Sequence, residues 1–160
     1  MLFFKTASLV NLTRLFAEKL ADSEEIKQYC TEHYEKEQIV FLGTDLKQPP
    51  PQDTCPYIVV VPGEKQEGLT QKQFTYVVDI MWCISNKEIT QDKLVEFVGI
   101  DEADNLGQLI LNTVVNSLKN SVVNQIDYSV NGLTEYPQFP GQMSLTINVP
   151  HVIGTERVEF

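Results

Sequence analysis

Basic residues are scarce in this chain. Lys and Arg number 12 against 22 Asp and Glu in 160 residues, for a formal net charge of −10. Gripping nucleic acid requires clustered cations to neutralise phosphates, so this balance argues against a nucleic-acid-binding surface. It is compatible with an acidic wall past which DNA slides without sticking. Histidine is almost absent, with His33 and His151 alone, and neither sits at a spacing that seeds a metal site. Three cysteines, Cys30, Cys55 and Cys83, make neither a disulfide framework nor a metal-ligand pattern; reduced thiols in a cytoplasmic setting are the simpler expectation. No stretch is long and apolar enough to span a membrane. The opening run, interrupted by Asn11 and Arg14, does not read as a signal peptide.

A nucleotide-binding loop is also missing, and that decides how "VGIDEADNLG" (98–107) is read. An apolar run ending in Asp-Glu-Ala-Asp resembles the acidic strand end that holds Mg²⁺ in helicases. Such chemistry needs a G-x-x-x-x-G-K-[ST] loop around the phosphates. The nearest approach, Gly63-Glu64-Lys65-Gln66, lacks the first glycine and the hydroxyl. The plainer reading makes Asp101 a helix cap, with Glu102 and Asp104 favouring the positive helix N-terminus.

What is present is periodicity. Leu9, Leu12, Phe16 and Leu20, joined by Leu15, predict a helix over 8–20, and Ser23 predicts the cap of a second, with Ile26, Tyr29, Cys30 and His33 on one side. A short strand is expected at 38–42, ended by Gly43, followed by a proline-rich connection without regular structure. The β-branched run 57–61 predicts a buried strand, and 62–72 a long polar hairpin tip. The longest strand, 74–85, places Phe74, Tyr76, Val78, Ile80, Trp82 and Ile84 on a core face. Its other face is only half polar, with Val77, Met81 and Cys83, and suits a covering helix or another subunit. Residues 86–101 read as a polar loop with one apolar patch. A central helix over 102–119 carries Leu106, Leu109, Ile110, Val114 and Leu118 as its stripe, with Leu111 and Val115 off it. Gly107 inside that helix costs about 1 kcal/mol relative to Ala, which a close approach to the sheet would explain. Strands follow at 126–130 and from 142, the latter with Met143, Leu145, Ile147 and Val149 inward.

The expected fold is α+β: a mainly antiparallel or mixed sheet of about five strands with helices packed on one face. One domain covers 1–160, with a helical part at 1–36, the sheet and central helix at 38–150, and a tail at 151–160. Hairpin connections are too short for parallel crossovers except around the central helix.

Chemistry is thinly represented. Cys83 with His151 is the nearest thing to a nucleophile and base, yet Cys83 falls mid-strand, where nucleophiles are not usually held. Asp79 inside the long strand and Glu135 before "YPQFPG" are acids in unusual company, without a visible acid/base partner. No catalytic, metal or cofactor residue is assigned. "YPQFPG" (136–141) is a stiff aromatic corner; Tyr136 and Phe139 either close the end of the core or serve as interface anchors.

"CPYIVVVPG", "FTYVVDIMWCI", "LGQLILNTVVNSLKN" and "EYPQFPGQMSLTINVP", spanning roughly 55–150, together resemble the tail terminator (tail completion) proteins of long-tailed bacteriophages. That resemblance implies a structural virion protein without catalytic residues or cofactor. It caps the tail tube as a homo-oligomeric ring, commonly a hexamer, ends tube growth and prepares head attachment. The implied partners are the tail tube protein and the head connector protein, with DNA passing unbound and no membrane; the implied location is the virion tail, and the host cytoplasm during assembly. The proline run 49–51 has no counterpart in the family pattern. Loops projecting from a rigid sheet commonly carry such contacts, so 63–73 and 86–100 are expected to dock, with Leu69, Leu94 and Phe97 as anchors beside Tyr136 and Phe139. Alternatives are another head–tail adaptor or tube or baseplate component, and a small ligand-binding domain or enzyme with Asp79, Cys83 or His151 in a pocket.

Overall fold

The computed structural model describes residues 8–68, 74–133, 135–150 and 160. Two helices open the chain, α1 (Leu9–Asp22) and α2 (Glu24–Tyr34), separated by the single residue Ser23. Ser8 Oγ accepts from Asn11 N and Ser23 Oγ from Ile26 N, so each helix starts on a serine that satisfies an otherwise orphaned N–H. Leu12, Phe16 and Leu20 are fully buried, as the 3.6-residue period requires, together with Ile26 and Cys30 of α2. His33 lies outside the core: it stacks on Tyr29 at 4.1 Å and its Nδ1 is 2.9 Å from the Tyr29 carbonyl.

The sheet has strand order β1-β2-β3-β7-β6, with β1 (Ile39–Leu42), β2 (Tyr57–Gln66), β3 (Phe74–Ser85), β6 (Val122–Val130) and β7 (Gln138–Val149). It is mixed and five-stranded, and the fold is α+β as the patterning predicts. β1 and β2 are parallel, which corrects the expectation that only the central helix could make a crossover. A parallel return needs about a dozen residues and no helix in particular. The proline-rich connection 43–56 supplies them, with one 3-10 turn (Gln52–Thr54) inside it. β2 runs on to Gln66, past the expected end at 61, bulging between Pro62 and Lys65. β3 and β6 both run antiparallel to β7, so the chain leaving β3 crosses one strand to reach β6.

That crossing is made by α3 (Gly99–Ser117). Its start corrects the expected 102, and Asp101 is not its cap. Val98 occupies the cap position without a side-chain hydrogen bond, and its carbonyl accepts from Glu102 N at 3.3 Å. Asp101 and Glu102 fall in the first turn, where the helix dipole favours them. Asp104 takes the Tyr128 hydroxyl at 2.7 Å. The Asp-Glu-Ala-Asp run is thus the opening of a packed helix.

All three helices cover one face of the sheet. Leu106, Ile110 and Val114 of α3 meet Trp82, Ile84, Met143 and Leu145 in one core that also holds α1 and α2. Gly107 explains itself here. A Cβ at that position would stand 2.2 Å from the Tyr128 hydroxyl and 2.4 Å from the Trp82 ring, so only glycine lets the helix sit this close.

Burial under this layer also sets an alkaline limit. Burial first, then the Glu102 carboxylate, pushes Tyr29 up to about 12 from 10.0, and burial pushes Cys30 up to about 12 from 9.0. Both groups bind their proton more tightly folded than unfolded. The stability this gives is complete below pH 9 and drains away as pH rises from 9 toward 12. Melting temperature measured from pH 8 to 11 is expected to fall steadily above 9; a flat profile would contradict the burial of these groups.

Candidate assembly surface

Between β3 and α3 the chain projects a two-stranded hairpin, β4 (Ile89–Gln91) and β5 (Val95–Phe97), separate from the main sheet. The register is Ile89↔Phe97, Thr90↔Glu96 and Gln91↔Val95. Val98 N donates to Glu88 O at 3.2 Å, closing the base, and Asp92 N to Leu94 O at 3.0 Å, tightening the tip. This corrects the reading of 86–101 as a polar loop.

The hairpin is exposed along both strands, and beside its polar residues it exposes four large apolar ones: Ile89 46%, Leu94 66%, Val95 61% and Phe97 39%. A lone two-stranded hairpin is marginal in water. It keeps its position through a few anchors at its base. Asn86 N donates to Pro137 O at 3.0 Å, and the Tyr136 hydroxyl to Lys87 O at 2.7 Å. The Tyr136 ring meets Phe97 edge-on at 5.6 Å. Ile100 and Leu133 are exposed as well, on the first turn of α3 and the turn after β6.

Of the anchor residues expected from sequence, Leu94, Phe97 and Tyr136 are therefore exposed, with Phe97 and Tyr136 in contact. Phe139 is a correction: it is 2% exposed and belongs to the core. Its ring covers Gly99, where a Cβ would come within 2.2 Å. The physical reason is that β7 begins at Gln138, two residues into the aromatic corner, so Phe139 enters the inward set of the strand. Leu69 lies outside the described residues. Sequence reasoning passed over Ile89, Val95, Ile100 and Leu133. The alternation Ile-Thr-Gln and Val-Glu-Phe around Asp92-Lys93 was the available signal for the first two.

The residues weighed for chemistry do not converge. Cys83 is buried on β3, and His151 lies outside the described residues. Asp79 lines a shallow depression of about 690 Å³ with Asp127 and Tyr128, and Glu135 is exposed on the turn before β7. A separate groove of about 490 Å³ lies over the uncovered sheet face, between the 44–50 segment and β6–β7. Leu46, Pro49, Tyr57, Met81, Asn131 and Gln142 are among its walls. Among the described residues, no three His, Cys, Asp or Glu stand together as metal ligands.

The uncovered face mixes apolar positions such as Val77 and Met81 with polar and acidic ones. Strand positions pointing to it from β3, β6 and β7 include Asp79, Asp127, Gln125, Gln142, Ser144 and Thr146, and none is Lys or Arg. Comparison with known proteins adds no assignment: neither a family model nor a curated protein matches the chain.

Proposed function

We propose that this chain is a structural assembly subunit of the tail-terminator kind. It forms a homo-oligomeric ring, a hexamer in the arrangement its resemblance implies, that caps a phage tail tube, ends its growth and presents a docking surface to the head connector. The observation that carries this reading is the projecting β4–β5 hairpin. It exposes Ile89, Leu94, Val95 and Phe97, and Phe97 meets the exposed Tyr136 edge-on. Clustered exposed apolar side chains of this kind mark protein contacts. Large apolar side chains on a narrow support give much binding free energy per residue ordered. The strand positions of the uncovered face, acidic and without cations on β3, β6 and β7, suit a wall past which DNA moves.

The test is assembly. Tail tube protein polymerised with this chain present is expected to give tubes of bounded length with one decorated end in electron micrographs. Light scattering of the end complex should report several copies. Tubes that grow unchecked and undecorated would overturn the terminator reading. Decoration along the tube or at a baseplate end would instead favour the neighbouring reading of a tube, baseplate or adaptor component, which the same hairpin would serve.

A further inference from the structure

Cys55 and Cys83 are brought side by side by a locally determined piece of structure. Cys83 is the ladder partner of Tyr57, and Cys55 lies two residues before Tyr57, at the same parity. The 3-10 turn that precedes Cys55 is fixed from two sides. Gln52 Nε2 donates to Ser85 Oγ at 3.2 Å, two residues beyond Cys83. Lys36 Nζ donates to the Asp53 carbonyl at 3.0 Å. On the other side of Cys55, Ile39 N donates to Pro56 O at 3.2 Å. Segment 52–57 therefore has little freedom to carry Cys55 away from β3. Both thiols are buried, and they lie close enough to shift each other's hold on a proton; Cys83 Sγ donates to the Ile84 carbonyl at 3.6 Å. A cavity of about 410 Å³, walled by His33, Tyr34, Lys36, Gln52, Asp53, Cys55 and Ser85, connects the Cys55 side of the pair to solvent.

We propose that Cys55 and Cys83 form a reversible intrachain disulfide when the protein meets a peroxide oxidant, fastening the proline-rich 43–56 connection to the central strand β3. A bridge needs two cysteines in neighbouring backbone positions, and the ladder sets Cys55 diagonally across from Cys83, two residues from its partner Tyr57. The chemistry balances with hydrogen peroxide as oxidant. The Cys55 thiolate attacks one peroxide oxygen, the O–O bond breaks, and hydroxide leaves to become water with the thiol proton. Cys83 sulfur then attacks the resulting sulfenic acid, the S–O bond breaks, and a second water leaves as the S–S bond forms. The division of roles follows access: Cys55 stands on the cavity wall, whereas Cys83 is 2% exposed on the strand behind it.

The pair owes nothing to the assembly reading, and its test counts thiols in the intact chain. Reduced protein, treated with hydrogen peroxide, then denatured and alkylated, is expected to block one thiol of the three, Cys30. Its mass should fall by two hydrogens before alkylation. Proteolytic mapping should return a peptide joining Cys55 to Cys83, and dithiothreitol should restore all three thiols. The Cys83→Ser variant should give no linked peptide. Three blockable thiols after peroxide, or a linkage through Cys30 or between chains, would overturn the proposal.

Discussion

Replacing Leu94 and Phe97 together by Asp is expected to abolish self-association and end-capping while leaving the folded monomer intact. Both side chains stand on the exposed hairpin, Leu94 beside its tip and Phe97 at the end of β5. In an interface each would contribute about 1.5–3 kcal/mol by burial. Loss of both, near 4 kcal/mol together, weakens association roughly a thousandfold. Two carboxylates that must lose water to dock add to the penalty. The monomer loses chiefly the edge-on contact between Phe97 and Tyr136, worth about 0.5–1.5 kcal/mol. Sedimentation or light scattering on the variant, with thermal melts alongside, separates the two effects. Leu46→Asp is the matched control, because Leu46 is also exposed but lies on the 43–56 connection, over the uncovered sheet face. A double variant that assembles like the parent, with Leu46→Asp defective, would move the assembly surface from the hairpin to the sheet face.

The hairpin also marks where reading the sequence stopped. Helices and long strands announce themselves because many residues repeat one period. The inward set Phe74 to Ile84 and the set Met143 to Val149 are both buried as alternation requires. The stripe of α3 and the reason for Gly107 were legible in the same way. Strands of three residues contain too little alternation to stand out from a loop, so the sequence shows Leu94 and Phe97 as apolar residues but not β4 and β5 as strands. Pairing between strands is less legible still. Nothing local in the run 39–42 says that its partner is 57–60, or that the two run parallel, because that is decided by how a proline-rich connection closes. The aromatic corner misled for a related reason. Prolines at 137 and 140 suggested a bend on the surface, whereas β7 runs straight through Pro140 and turns Phe139 inward. Pro140 has no N–H to give, yet its carbonyl still accepts from Asn131 N at 3.0 Å. A Pro in such a place argues against a central strand unless the neighbouring ladder is already ending, and β6 does end at Val130.

Gly141→Ala is expected to be among the most destabilising single substitutions in the chain, although it adds one methyl group to a strand. Gly141 is the ladder partner of Trp82 on β3. A Cβ there would stand 2.2 Å from Trp82 Cζ2, 2.3 Å from Cε2 and 2.8 Å from Nε1. The ring cannot retreat. Its Nε1 donates to the Ala103 carbonyl at 2.8 Å, and the same Cζ2 already lies against Gly107 of α3. Two forces oppose each other. Alanine restricts the unfolded chain more than glycine does, which favours folding by about 0.4–1 kcal/mol. Overpacking a rigid core costs about 1–3 kcal/mol, occasionally more, and a buried indole fixed by a hydrogen bond stands at the upper end. The net is a loss of about 2 kcal/mol, or a melting temperature lower by roughly 4–8 °C for a chain of this size. Trp82 is the sole tryptophan, so its fluorescence follows unfolding in the parent and Gly141→Ala, and far-UV circular dichroism follows it in every background. The cause is isolated by repeating the change in a Trp82→Phe background. The smaller ring leaves room, and Gly141→Ala should there be close to neutral, giving a coupling of about 1–3 kcal/mol. Equal losses in both backgrounds would place the cost in the β7 backbone instead of the indole, and an unchanged unfolding midpoint in Gly141→Ala itself would mean that the space around Trp82 is not closed.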